Sequence, residues 1–200
     1  MKLPIETYGQ GPSVVLIHGM GSAATAWKPI IPSLAKQFKV ITLDLPGHGR
    51  SAYSPMQSMD PTSLAKLVFK NLSAIGVSDF HLVGNSLGGW ISLEMAVLNP
   101  SQVKTVTALA PAGLWLTPFT SRYPGEIALK MMAGGVGKIA PSLLNYTWAK
   151  KIGFETVSPR WKDLSYEVCL DATTAMASST GYFPAWDALL KKRFDDQVSP

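Results

Sequence analysis

The sequence contains only one cysteine and no long apolar run, and each of these two features excludes a class of protein. The single cysteine, Cys169, forms no disulfide within the chain, which excludes a disulfide-stapled secreted scaffold and favours a reducing compartment. No run of about 18 apolar residues occurs, and no apolar signal core follows Met1, so we predict neither a membrane-spanning helix nor a secretory leader. We therefore expect a cytoplasmic protein.

Charged residues are also few. They make up 16% of the chain against 46% apolar residues, which is the balance of a globular protein. The net charge is a modest +5, and the basic residues cluster only at Lys150-Lys151 and Lys191-Lys192-Arg193. Because a nucleic-acid surface needs a denser basic stripe and a recognition motif, we predict no nucleic-acid partner.

Short apolar strand patterns alternate with helical patterns in the first half of the chain. Strands are predicted at 13–18, 40–43, 80–83 and 103–109, with helices at 23–37, 61–75 and 87–98. Continuous apolar strands separated by helices predict an α/β fold, with a mostly parallel sheet flanked by helices. After Gly113 only helical patterns follow, at 125–139, 141–152, 159–178 and 183–194. We therefore divide the chain into a core, 1–113, and a helical region, 114–200.

A serine motif lies between a predicted strand and a predicted helix. Gly84-Asn85-Ser86-Leu87-Gly88 matches G-x-S-x-G in the strand–turn–helix setting of a nucleophile elbow. Gly84 and Gly88 leave room for the tight turn and for the close approach of strand and helix. The helix directs its positive N-terminus at the site, so the Leu87 N–H is the expected oxyanion donor. The motif predicts that Ser86 is a nucleophile.

Two further motifs follow the first two predicted strands: His18-Gly19-Met20-Gly21 and the segment 44–51, D-L-P-G-H-G-R-S. Together with the serine motif, they make the chain resemble the α/β-hydrolase family over nearly all of 3–200. The resemblance implies an α/β-hydrolase core with an inserted helical cap, and a second oxyanion donor at the Met20 N–H. It also implies structural roles for His18 and Asp44, and we expect His48 to fix its own turn.

The sequence supplies no base for Ser86. A serine hydroxyl needs a base to take its proton, yet the last of the three histidines is His81. The family order is serine, then acid, then histidine, so the resemblance implies that both partners follow residue 200. Acidic residues after Ser86 fall on helical patterns, and none is assigned as the acid; they include Glu94, Glu126, Asp163, Asp171, Asp187, Asp195 and Asp196. We expect a C-terminally truncated hydrolase that is inactive alone, with strand 103–109 as an open apolar edge able to self-associate.

The resemblance implies a hydrolase that cleaves carboxylic esters, lactones or carbon–carbon bonds of small molecules with an apolar part, without a cofactor. An acyltransferase and a non-catalytic binding protein on the same fold remain alternatives. The histidine spacing fits no metal site. The cap aromatic residues either line an apolar pocket or hold the cap helices together: Trp115, Phe119, Tyr123, Tyr146, Trp148, Phe183 and Trp186.

Overall fold

The computed structural model describes residues 1–115, 121, 124–136 and 139–194, and five strands in it form one sheet. The strands are β1 (Ile5–Tyr8), β2 (Ser13–Ile17), β3 (Lys39–Leu43), β4 (Phe80–Asn85) and β5 (Val103–Leu109). Their order across the sheet is β1-β3-β2-β4-β5, and every neighbouring pair is parallel except β1 with β3. The mostly parallel α/β sheet expected from the sequence is confirmed.

Strand β1 was not expected from the sequence. It pairs antiparallel with β3, with Ile5 opposite Leu43 and Tyr8 opposite Val40. Its four residues carry no apolar run, because an edge strand is not buried on both faces as the central strands are. The sequence therefore contains no apolar pattern that predicts strand β1.

The first predicted helix, 23–37, is wrong in its extent. The structure has a 3₁₀ helix at Ala24–Trp27 and one turn of α-helix, α1, at Ile31–Leu34. Pro29 and Pro32 lack the N–H that a continuous helix would need, and Pro32 is tolerated only because it lies in the first turn of α1.

Two longer helices cover the sheet: α2 (Pro61–Ala74) and α3 (Leu87–Leu98). The start of α2 matches its sequence signals, since Asp60 caps the helix by accepting a hydrogen bond from the Ser63 N–H at 3.0 Å. Gly76 follows the helix with a φ of +73°, a conformation that favours glycine. The main apolar core lies between these helices and the sheet and includes Ile17, Leu43, Leu82 and Trp90.

Five helices follow β5 in the described part of the chain: α4 (Pro124–Val136), α5 (Ala140–Leu143), α6 (Thr147–Phe154), α7 (Tyr166–Ser178) and α8 (Tyr182–Leu189). The predicted helix 141–152 is thus two shorter helices, and 159–178 begins as a 3₁₀ turn at Trp161–Asp163. A small apolar cluster around Phe154, Trp161 and Cys169 holds α5, α6 and α7 together, and Cys169 is buried as expected.

Helix α8 packs differently from the other cap helices. Ala185 and Leu189 on α8, together with Phe194, belong to the main core cluster that contains Trp90. The last described helix therefore returns to the sheet side of the molecule. The proposed division between a core, 1–113, and a cap, 114–200, remains a prediction.

Strand β5 lies at one edge of the sheet, and β4 is its only partner among the described residues. Lys104, Thr105, Thr107 and Leu109 on it are exposed. The edge is thus open as predicted, although polar side chains alternate with apolar ones along it. Among the helices of the described ranges, none has the length and apolar character needed to cross a bilayer.

Candidate active site

Ser86 occupies a strained turn between β4 and α3. Its φ of +52° and ψ of −115° fall where a non-glycine residue is rarely found. Three backbone hydrogen bonds hold it there: the Ser86 N–H donates to the Leu109 carbonyl (2.9 Å), and the Ser86 carbonyl accepts from Trp90 (3.1 Å) and Ala112 (3.0 Å). The turn is therefore fixed by β5, by α3 and by the loop after β5.

The glycines of the serine motif are required by close backbone contacts. A Cβ on Gly84 would lie 2.1 Å from the Gly88 carbonyl oxygen, and one on Gly88 would lie 2.1 Å from the Ile17 carbonyl oxygen. A Cβ on Gly19 would lie 3.1 Å from both the Asn85 side chain and the Ser86 Cβ. The loop after β2 is thus pressed directly against the serine turn.

Two backbone N–H groups flank Ser86. Leu87 is the first residue of α3, and the N–H groups of a first helical turn have no partner within their own helix. Met20 lies in the turn after β2, which is closed by the Ser22 N–H donating to the Gly19 carbonyl at 3.2 Å, with Gly21 at a φ of +71°. Ser86, Met20 and Leu87 line one cavity, and the oxyanion role of the two N–H groups remains a prediction.

His18 joins the loops that follow β2 and β3. Its Nδ1–H donates to the Gly19 carbonyl at 2.7 Å, and its Nε2 accepts from the Leu45 N–H at 3.0 Å. Both ring nitrogens are occupied by backbone groups, and burial lowers the pKa of His18, so the ring stays neutral.

Asp44 holds the same loops with its carboxylate. It accepts from the Ala24 N–H at 2.8 Å and from the Arg50 backbone N–H and Nε at 3.2 and 3.0 Å. A Cβ on Gly49 would lie 2.3 Å from this carboxylate. The observed contacts of His18 and Asp44 are those of groups that fix backbone.

His48 is fully buried in the turn after β3. Its Nδ1–H donates to the Pro46 carbonyl at 2.9 Å, while Nε2 has no hydrogen-bond partner among the described residues. Burial is the largest cause that lowers the pKa of His48 to about 4, with the His18 ring and the Lys130 ammonium acting in the same direction. His48 therefore remains neutral at pH values where a solvated histidine is charged.

The observed contacts of the three histidines are with groups other than Ser86. The ring nitrogens of His18 both face backbone, and Nδ1 of His48 bonds within its own turn. His81 precedes Ser86 by five residues along β4, which at about 3.3 Å per residue places it roughly 16 Å away. Its Nδ1 lies 2.8 Å from the Thr105 hydroxyl. None of these contacts assigns a histidine as the proton acceptor of Ser86.

Three of the acidic residues after Ser86 make contacts with groups other than Ser86. Glu94 is buried and accepts from the Trp90 indole N–H (2.9 Å) and the Thr62 hydroxyl (3.0 Å). Asp171 pairs with Lys28, and Asp163 with Arg160. Asp195 and Asp196 lie outside the described residues. The described ranges contain no group of three or more His, Cys, Asp or Glu side chains arranged to hold a metal ion.

An apolar cavity of about 70 Å³ opens at Ser86. Its core side is formed by Met20, Ser86, Leu87 and Ala112, and its cap side by Trp115, Trp186, Leu189 and Leu190. Of the aromatic residues considered from the sequence, Trp115 and Trp186 therefore line this cavity. Tyr146 and Trp148 instead stack on each other at the exposed surface, and Phe183 packs edge-on against Tyr182. Phe119 and Tyr123 lie outside the described residues.

Three contacts join the helices that follow β5 to the segments that follow β2 and β3. The Gly181 N–H donates to the Gly47 carbonyl at 2.9 Å. Met176 and Tyr182 pack so closely on Gly21 that a Cβ there would lie 2.7 Å from the methionine. Lys28 and Asp171 form an ion pair of 2.7 Å between the 3₁₀ helix and α7. The sequence pattern gave no signal for Gly181, Leu189 or Leu190, because these contacts depend on how α8 returns to the core.

Residues 12–187 match the α/β hydrolase fold family, and the chain belongs to that family. The pimeloyl-[acyl-carrier protein] methyl ester esterase of Aeromonas hydrophila is 34% identical over 67% of this chain and 50% of its own length. The same-named protein of Methylococcus capsulatus is 42% identical over 66% of this chain and 49% of its own length. The chain thus spans about half the length of these curated relatives.

The solved structure of a membrane phospholipase A, a bacterial virulence factor, has the same fold. It superposes with a TM-score of 0.69 at 25% sequence identity, covering 99% of this chain and 60% of the other. The chain is therefore similar, over almost its whole length, to about three-fifths of a larger α/β hydrolase.

Proposed function

We propose that this chain carries the nucleophile and the oxyanion site of a carboxylic ester hydrolase. Ser86 attacks the ester carbonyl, and the Leu87 and Met20 N–H groups bind the oxyanion that develops. The observation that supports this most directly is the strained backbone of Ser86, with its φ of +52° beside the N-terminus of α3. The similarity to two methyl ester esterases favours esters over the other carbonyl substrates expected from the sequence.

The base and the acid of the triad come from outside these 200 residues. The observed contacts of the three histidines are with other groups, and no histidine follows Ser86, so we expect the isolated chain to turn over esters about 10⁶-fold more slowly than a complete triad enzyme. Oxyanion binding and substrate binding remain, which leaves Ser86 able to be acylated when a base is supplied.

The test supplies that base as free imidazole. The 200-residue chain is incubated with p-nitrophenyl acetate and imidazole, and its peptides are analysed by mass spectrometry. We expect one acetyl group on the peptide that contains Ser86, and none in Ser86→Ala. Ser73→Ala, which removes an exposed hydroxyl from α2, is the matched control and should behave as the parent chain does.

Two outcomes would contradict the proposal. The first is acetylation that persists at the same rate in Ser86→Ala. The second is rapid catalytic turnover by the chain without imidazole, which would show that the base lies within it after all. If the acyl group passes to added glycerol faster than to water, the activity is that of an acyltransferase instead.

A further inference from the structure

The cavity at Ser86 is unusually small for a substrate pocket. Its volume of about 70 Å³ is roughly half that of an apolar cavity of ~150 Å³ that binds benzene. A group of one to three carbons therefore fits wholly within the cavity, whereas a ring or a longer chain would extend out of it.

One wall of the cavity is held rigidly by the core. The Trp115 indole N–H donates to the Lys192 carbonyl at 3.1 Å, and its ring meets Trp90 edge-on with centroids 5.7 Å apart. Trp90 is fully buried and bonded to Glu94, and it packs so closely on Gly113 that a Cβ there would lie 2.5 Å from its ring. The half-buried Trp115 side chain is thus held against the core at one edge by Trp90 and by its hydrogen bond to Lys192.

The opposite wall is fixed through α8. Trp186 lies on this helix between Ala185, which is fully buried in the main core, and Leu189, which lines the cavity. The first turn of α8 is attached to the core by the hydrogen bond from Gly181 to Gly47. A longer ligand would have to displace this helix from the core to gain space.

We propose that this cavity limits one substituent of the reacting carbonyl to about three carbons, with Trp115 and Trp186 as the residues that set the limit. The substituent is a short acyl chain or a short alkoxy group, which share the same apolar chemistry. The inference rests on the proposed function, because Ser86 marks where the carbonyl lies.

The limit is tested first by binding, which needs no catalysis. Symmetrical dialkyl ketones from acetone to 5-nonanone are titrated into the Ser86→Ala chain, and the indole N–H signals of the six tryptophans are followed by NMR. Without a size limit, each added CH₂ tightens binding about fourfold. We expect the affinity to stop rising at dipropyl ketone, with shifts at Trp115 and Trp186. A continued rise to dibutyl ketone overturns the proposal.

Substitution of the wall gives the second measurement. Trp186→Ala should move the limit outward, so that dibutyl ketone binds at least fourfold more tightly than it does to the parent, and Trp186→Phe should give a smaller gain. Trp148→Ala removes an indole that is 56% exposed and only stacks on Tyr146, so it is the matched control and should change nothing. Equal limits in Trp186→Ala and Trp148→Ala would refute the role of Trp186.

A comparison of two ester series then shows which substituent of the carbonyl, the acyl chain or the alkoxy group, enters the cavity. With imidazole present, acylation of Ser86 is compared along one series with a growing acyl chain and one with a growing alkoxy group. The series whose rate falls beyond three carbons names the substituent that enters the cavity, and no fall in either series contradicts the proposal. Absence of acylation with normal ketone binding would instead refute the proposed function while leaving the size limit intact.

Discussion

The burial of His48 predicts a loss of stability in mild acid. Its pKa is lowered from 6.5 to about 4, so the unfolded chain takes up a proton below pH 6.5 that the folded chain refuses until about pH 4. The stabilisation is therefore complete above pH 6.5 and is lost as the pH falls toward 4. It amounts to about 3 kcal/mol in all, of which about 2 kcal/mol disappears between about pH 7 and pH 5.

The assay is urea denaturation of the chain at closely spaced pH values in this window. The free energy of unfolding should fall by at least about 2 kcal/mol, because the pKa of His18 is also lowered by burial and acts in the same direction. For a chain of this size that corresponds to a fall of roughly 4–8 °C in Tm. Three carboxylates have lowered pKa values: Glu6, Glu167 and Asp60. They act below their ordinary values of 4.5, 4.5 and 3.8, which lie mostly outside the window.

The variant His48→Asn tests whether this histidine is responsible. The asparagine amide can still donate to the Pro46 carbonyl, yet it cannot take up a proton, so the fall in stability between pH 7 and pH 5 should shrink by about 2 kcal/mol. His81→Gln, on the half-buried β4–β5 face, controls for the loss of one histidine. A parent chain with flat stability across the window, or an equal slope in His48→Asn, would refute the reasoning.

Two further predictions concern backbone geometry. Gly88→Ala should destabilise the chain by about 3 kcal/mol in the same urea assay, since its Cβ would lie 2.1 Å from the Ile17 carbonyl oxygen; Gly134→Ala, with open space around it in α4, should be neutral or stabilising by up to about 1 kcal/mol. Asp60→Ala should cost about 1 kcal/mol by leaving the Ser63 N–H without its cap, whereas Asp60→Asn should retain most of that stability.

The sequence predicted best those features that depend on short-range chemistry. The elements from Pro61 to Leu109 were predicted almost to the residue, because caps, proline and glycine mark their ends. The serine turn was predicted for the same reason, since only glycine allows backbone contacts as close as those at Gly84 and Gly88. Requirements of the local backbone, such as a helix cap or a close backbone contact, can therefore be predicted from the residue types.

Features that depend on long-range packing were beyond the sequence. Strand β1 is defined by its partner β3, and the cavity at Ser86 is closed by Leu189 and Leu190, more than 100 residues along the chain. Tryptophans 115, 148 and 186 look alike in the sequence, yet two line the cavity and the third lies at the surface. The three tryptophans differ in the structure because α8 packs back against the core. No periodicity in the sequence predicts that packing.

The two halves of the site are therefore fixed by different means. The serine turn and its neighbouring loops depend on backbone contacts that hardly any other residue type permits, so substitutions there should act on folding before they act on catalysis. The cap side depends on large side chains, Trp115 and Trp186, held by a few contacts with the core. We therefore expect substitutions of Trp115 and Trp186 to change the size of the group that binds in the cavity without changing the backbone conformation of Ser86.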